Sequence, residues 1–145
     1  MLEIKYQIIN QNFDDLESMS ETNIRYDFLL GNITLFSSDV KIEMEWGWIP
    51  LLDFAYCLKE IAINLKNSGT CKEYFEFTES AETLGFLRNE NQLDISASFS
   101  SEIIKTDWDT FEKAVNDFHF SISAYIRSNI SNEPPKILQK YLSWG

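Results

Sequence analysis

The first part of the chain alternates apolar and polar residues with the two-residue period of β-strands. Apolar residues occupy every second position from Leu2 to Ile8, which predicts a strand over residues 2 to 10. The following segment, Asn12 to Thr22, has no such period and is rich in Asp, Glu, Ser and Asn, so we expect an acidic loop or a short irregular helix. Alternation over Val40 to Trp46 predicts a further strand.

Between these segments, alternation from Ile24 to Leu35 surrounds the pair Gly31-Asn32. Glycine tolerates the positive φ that the first central residue of a type II′ turn requires. The sequence therefore predicts a tight hairpin, with one strand before Gly31-Asn32 and one after it.

A change to three- and four-residue spacings predicts a helix over about residues 50 to 67. Pro50 is acceptable in its first turn, where the missing N–H is not needed, and Gly69 follows where a left-handed cap is common. Leu52, Tyr56 and Ile63 form a second apolar stripe about 120° from the first. This helix is therefore either covered on two sides or presents a surface.

The second half of the chain predicts three strands and two helices. The strands lie at Tyr74 to Thr78, Leu84 to Leu87 and Leu93 to Phe99, with Asn89-Glu90-Asn91 as the turn between the last two. A long helix is expected over about 107 to 130, capped by Thr106 or Asp107 and buried along a face from Trp108 to Ile126. After Pro134-Pro135, a short helix over Lys136 to Trp144 should return to the body.

Together these elements favour an α+β fold. The expected architecture is a single domain over residues 1–145, with a mostly antiparallel sheet of about six or seven strands, two main helices and a short C-terminal helix. The length suits one domain, and 44% apolar residues with 14% aromatic residues suffice for a packed core.

The charge balance narrows the classes of partner. Twelve basic residues stand against 23 acidic ones, which gives a net charge of −11. Such a chain repels phosphate backbones and anionic bilayers, so we expect no nucleic-acid and no membrane binding. A basic protein partner would instead be attracted, although net negative charge also simply keeps proteins soluble.

The N-terminal residues do not resemble an export signal, because charged residues interrupt the apolar ones. We therefore expect a cytoplasmic protein in which Cys57 and Cys71 remain reduced and unbonded to each other.

Residues suited to catalysis are sparse. The single histidine, His119, flanks the apolar face of the second long helix and is interpreted as structural; no metal and no cofactor are expected. No glycine-rich phosphate loop is present in the sequence. The carboxylate pairs Asp107 with Asp109 and Glu43 with Glu45 leave a carboxylate-dependent enzyme as one alternative, but we interpret the chain as a non-enzyme.

Two features favour binding. Acidic residues cluster in segments expected to be exposed, at Asp14 to Glu21 and at Glu73 to Glu82. Surplus aromatic residues occur at a strand-to-helix junction and on the polar side of the second long helix, although packing within the fold also explains them. The residues predicted to contact a partner are Asp14, Asp15, Glu17, Trp46, Trp48 and Phe120.

The overall layout carries a resemblance. With the Gly31-Asn32 hairpin, the helix entry Trp48-Ile49-Pro50-Leu51-Leu52-Asp53-Phe54 and the segment Tyr74-Phe75-Glu76-Phe77, the chain resembles small uncharacterised bacterial proteins. Some such families are similar to immunity proteins of polymorphic or contact-dependent toxin systems. The resemblance implies a protein that binds and neutralises a toxin domain. The alternative from the residues alone is a homo-oligomeric housekeeping domain, for example a homodimer.

Overall fold

A computed structural model describes residues 2–67 and 71–142. The strands are β1 (Glu3–Gln11), β2 (Leu29–Ser37), β3 (Val40–Pro50), β4 (Lys72–Glu76), β5 (Thr83–Asn89), β6 (Gln92–Ala97) and β7 (Ser100–Asp107). The helices are α1 (Glu21–Tyr26), α2 (Leu51–Asn67), α3 (Trp108–Ser128) and α4 (Lys136–Leu142), and a 3-10 turn spans Leu16–Ser18. The α+β class, the two main helices and the short C-terminal helix are confirmed.

The seven strands of the described part form two antiparallel sheets. The first has the order β1-β2-β3 and the second the order β4-β5-β6-β7. Each strand therefore pairs only with the strand before or after it in the sequence. The two sheets meet where β3 runs beside β7. The predicted sheet of six or seven strands is thus divided between two sheets.

The two long helices pack against each other and against both sheets. α2 contacts β2, β3 and β4, and α3 contacts β1, β6 and β7. The shared core is strongly aromatic, and its largest fully buried side chains include Phe28, Phe54, Phe86 and Phe111. Burial of such large rings supplies the hydrophobic contribution to the stability of a fold of this size.

α2 is covered on two sides, as one of the two predictions for it required. Leu52 on the second stripe is buried. Tyr56 on the same stripe packs on Tyr141 of α4, with ring centroids 4.5 Å apart. Ile63 is exposed. The end of this helix at Gly69 and the C-terminal Trp144 lie outside the described residues.

The predicted hairpin at Gly31-Asn32 is wrong. Residues 21–26 form α1 rather than a strand, and β2 continues through Gly31 and Asn32 to Ser37. A capping box starts the helix: the Ser20 hydroxyl accepts from the Asn23 N–H, and the Asn23 side chain accepts from the Ser20 N–H. The apolar residue Ile24 is buried on a helix face.

Gly31 is required by close approach between strands. A Cβ at this position would lie 2.0 Å from the Gln7 carbonyl oxygen of β1. Asn32 sits opposite a bulge in which β3 places residues 45–48 between the paired positions Met44 and Ile49. The Gly47 N–H donates to the Asn32 side chain over 2.7 Å, which holds the bulge in place. Gly47 itself has φ +76°, a conformation that favours glycine.

The second sheet contains a strand that the sequence analysis missed, β7. Ile104 and Thr106 are buried on one face of β7, whereas Ile103 is exposed. The alternation of apolar and polar residues along β7 is therefore too short to predict a strand. The predicted turn at Glu90 is confirmed by its φ of 56° between β5 and β6. Asp107 caps α3 and accepts from the Thr110 N–H over 3.0 Å.

Candidate functional site

An acidic groove of about 590 Å³ lies between α1, α2, β4 and α4. Its residues come from distant parts of the sequence that the packing of α2 brings together. α1 supplies Glu21 and Arg25; α2 supplies Asp53, Tyr56, Cys57, Glu60, Ile61 and Asn64; β4 and the turn after it supply Glu73, Tyr74, Phe75, Glu76 and Thr78; and α4 supplies Lys140 and Tyr141.

Carboxylates dominate the ionisable groups of the acidic groove. Five acidic residues face two basic ones: Glu21, Asp53, Glu60, Glu73 and Glu76 against Arg25 and Lys140. Acid from the two clusters seen in the sequence, one near residue 20 and one near residue 75, meets here around the first long helix. A recess of this sign concentrates cations near its walls.

Asp53 is the buried carboxylate of the acidic groove, with 5% of its surface exposed. It lies in the first turn of α2, where free N–H groups favour negative charge. Its hydrogen-bond partner among the described residues is the Cys57 thiol, which donates to Oδ1 over 3.9 Å. Burial raises the pKa of Asp53 to about 6. Arg25 opposes this rise, whereas Glu21 and Glu60 add to it.

Two tyrosines and a lysine form the α4 side of the acidic groove. The Lys140 ammonium lies 6.0 Å from the Tyr56 ring centroid and 5.8 Å from that of Tyr141, within reach of cation–π attraction. Tyr141 is 3% exposed, whereas Thr78 Oγ1, on the β4 side of the groove, is buried with no hydrogen-bond partner among the described residues. Burial raises the pKa of Tyr141, and Asp53 and Glu21 raise it further, so the hydroxyl stays protonated at neutral pH.

The two cysteines differ in environment and are free, as the sequence predicted. Cys57 is half-buried, and burial raises the pKa of its thiol to about 12, with Asp53 and Glu60 adding to the rise. Cys71 is exposed.

We expect thiol titration of the unfolded protein, without reductant, to count two free groups. In the folded protein, Cys71 should react first and Cys57 much more slowly, because the thiolate is the reactive form. Time-resolved labelling with a thiol reagent, followed by mass spectrometry of peptides, measures both rates. Equal rates would contradict the burial of Cys57.

The predicted acidic contact residues lie outside the acidic groove. Asp14, Asp15 and Glu17 are exposed in the loop between β1 and α1, and Asp15 adopts a left-handed backbone with φ 51°. This loop leads directly into α1, which carries Glu21 to the groove.

The structure places Trp46 and Trp48 at the junction of the two sheets. Their rings stack at 5.3 Å, and both are half-buried. Trp46 meets Phe77 edge-on at 5.0 Å and Phe99 at 4.9 Å, which joins β3 to the second sheet. Packing within the fold therefore accounts for much of this aromatic surface.

Phe120 projects from α3 with 74% of its surface exposed. A shallow recess beside it is lined by residues of α2, α3 and α4, including Lys59, His119 and Leu142. Phe120 therefore lies outside the core, to which the apolar face of α3 contributes.

The candidates for catalysis have structural surroundings. His119 is buried, and its Nε2–H donates to the Tyr141 carbonyl over 2.7 Å; burial lowers its pKa. Asp107 caps α3, and its bonds from Thr110 lower its pKa. Glu43 is exposed on β3 and pairs with Lys41 over 3.1 Å. Among residues 2–67 and 71–142, no group of three or more His, Cys, Asp or Glu side chains is arranged to hold a metal ion.

Sequence reasoning missed Asp53, Tyr56, Lys140 and Tyr141 as a group. A usable indication was present in the segment from Trp48 to Leu58, where Asp53 is the one charged residue within an apolar run. Burial of a carboxylate is energetically costly, so an aspartate in such a run indicates a candidate functional site unless its side chain reaches solvent.

No helix within the described ranges has the length and apolar character needed to cross a membrane. Comparisons with protein-family models, with curated proteins and with solved structures found no match to this chain.

Proposed function

We propose that this chain is a protein-binding module that recognises a basic protein partner, in the cytoplasm, through its acidic groove. The observation that carries the proposal is the convergence of five carboxylates from α1, α2 and β4 on one recess that contains two basic residues. A toxin-neutralising immunity protein is one form of such a module, and the resemblance of the sequence layout supports that form.

Charge and shape contribute to different steps of such recognition. The net charge of −11 steers a basic protein towards the chain and speeds encounter. Buried aromatic and hydrogen-bonded contacts then slow dissociation. The acidic groove offers both, because carboxylates and the tyrosine rings of α2 and α4 line the same recess.

Self-association through Phe120 is the second candidate. A phenylalanine with 74% of its surface exposed favours contact with another apolar surface, and a second copy of the chain would supply one. Sedimentation of the wild type and of Phe120→Ser distinguishes this candidate: a dimer that the substitution dissociates supports it, and a wild-type monomer contradicts it.

The test of the leading proposal is affinity capture from the native host followed by surface plasmon resonance with the purified partner at two salt concentrations. We expect replacement of the exposed groove residues Glu21, Glu60 and Glu76 by glutamine to lower the association rate constant by about tenfold at low salt, and to leave the dissociation rate nearly unchanged.

The matched control replaces Glu43, Glu45 and Glu102 by glutamine, which removes the same charge from the exposed faces of β3 and β7. This control should change association less than the groove variant does. An association rate constant that changes neither with salt nor with any of these substitutions would contradict the charge-complementarity proposal.

A further inference from the structure

One polar atom of the acidic groove, Thr78 Oγ1, is buried with no hydrogen-bond partner among the described residues. Asp53 is 5% exposed and receives one weak bond, from the Cys57 thiol at 3.9 Å. Tyr141 is 3% exposed and lines the same groove. Buried polar groups are normally hydrogen-bonded, so the unpartnered Thr78 Oγ1 and the weakly bonded Asp53 carboxylate in one recess indicate a hydrogen-bonding ligand.

The surroundings of Asp53 and Tyr141 determine the charge of that ligand. Glu21 and Glu60 act on Asp53 through space, and Glu21 also acts on Tyr141. A further negative group would be repelled, whereas a cation would be attracted. A bare metal ion fits poorly, because the described carboxylates, thiols and imidazole form no cluster of three ligands.

The aromatic wall distinguishes among organic cations. The tilted pair of Tyr56 and Tyr141, with ring centroids 4.5 Å apart, already has the Lys140 ammonium near its faces. A guanidinium stacks on such rings, carries five donors and is more weakly hydrated than an ammonium. It can therefore enter a recess with a buried carboxylate at lower desolvation cost, while the exposed Lys140 moves into solvent.

We propose that the acidic groove binds the guanidinium group of an arginine side chain, with the Asp53 carboxylate and the Tyr141 hydroxyl as its acceptors. The assignment of that arginine to a partner protein rests on the proposed function. Asp53 supplies the charge-assisted bond, Glu21 and Glu60 provide the surrounding field, and the tyrosine rings flank the cation.

The experiment uses the full chain, isotope-labelled for NMR, and the peptide acetyl-Ala-Arg-Ala-amide. We expect saturable shifts of the amide resonances at Asp53, Tyr56 and Tyr141, with a dissociation constant on the order of 1 mM or lower. The same peptide with citrulline, a neutral isostere of arginine, should give no saturable shift. The lysine peptide should bind about tenfold more weakly than the arginine peptide.

Three variants test the assignment of residues. Asp53→Asn should weaken arginine-peptide binding by about tenfold or more, and Tyr141→Phe should weaken it by a smaller factor. Glu60→Gln, at an exposed position, tests the field without risk to the core. The control Glu102→Gln removes an exposed carboxylate of β7 outside the groove and should leave the binding unchanged.

Three results would overturn the inference: no saturable shift with the arginine peptide, equal binding of the arginine and citrulline peptides, or equal binding of the arginine and lysine peptides. Arginine-peptide binding that survives Asp53→Asn and Glu60→Gln would also overturn it. The proposed function fails separately, if no basic partner binds the intact chain. Partner binding that is weakened by Glu60→Gln but unchanged by Asp53→Asn and Tyr141→Phe would leave the proposed function standing and reject the arginine site.

Discussion

Replacement of Phe54 by alanine is expected to destabilise the fold by about 3 to 5 kcal/mol, the range typical of emptying a fully buried phenylalanine site. Phe54 is completely buried on α2. Its ring lies 4.8 Å from Phe75, 6.1 Å from Phe77 and 6.0 Å from Phe118. The substitution therefore removes contacts to the second sheet and to α3 at once, and the cavity between them cannot close by moving one element.

The matched control is Glu43→Ala, which removes a solvated carboxylate from the exposed face of β3. Its pairing with Lys41 over 3.1 Å joins two exposed side chains, so we expect a change below about 0.5 kcal/mol. Urea unfolding followed by tryptophan fluorescence measures both midpoints. Equal shifts of the urea midpoint for the two variants would contradict the burial of the α2 face that carries Phe54.

The fold class could be predicted because long elements carry strong periods. α2 and α3 extend over 17 and 21 residues, and each repeats its apolar pattern through several turns. The stretch from Ile24 to Leu30 was misread because six residues of α1 are too few to distinguish a helical from a strand period. The capping box at Ser20 and Asn23 starts a helix there. It is hard to recognise from the sequence because Asn stands where a capping box usually has Glu or Gln.

The division into two sheets was beyond the sequence, since strand partners are chosen by contacts between distant residues. Gly31 illustrates the difficulty. The same residue type serves tight turns and close strand approach, and only the neighbouring Gln7 carbonyl at 2.0 Å from its missing Cβ separates the two uses. The candidate site escaped detection for the same reason, because Asp53 and Tyr141 lie 88 residues apart by their numbers in the sequence.

Asp53→Asn is expected to alter the pH dependence of stability more than any other single carboxylate change at the acidic groove. Burial raises the pKa of Asp53 from 3.8 to about 6 in the folded chain. A folded-state pKa above the unfolded one means that the folded protein binds the proton more tightly. The stabilisation from Asp53 is therefore complete below the unfolded pKa and is lost as the pH rises through about 6.

The expected magnitude follows from the distance between the pH and the folded-state pKa. Raising the pH from about 5 to about 8 should cost the wild type about 1.4 kcal/mol more than it costs Asp53→Asn, since one unit of pKa corresponds to about 1.4 kcal/mol. Over the full range from below pH 3.8 the difference approaches about 3 kcal/mol. The remaining titrating groups are common to both proteins and cancel in the comparison.

Urea unfolding of both proteins at the two pH values measures this double difference, and direct titration of the Asp53 carboxyl by NMR gives its pKa. Parallel pH profiles would contradict the burial of an ionisable Asp53. If the profiles diverge as expected, the wild type keeps at neutral pH a carboxylate that weakens its own fold. Binding of a guanidinium would offset that cost, because a cation beside Asp53 lowers its pKa and stabilises the ionised form. Addition of the arginine peptide should then narrow the gap between the wild type and Asp53→Asn at pH about 8, where Asp53 is ionised, and change it much less at pH about 5, where the carboxyl is mostly protonated.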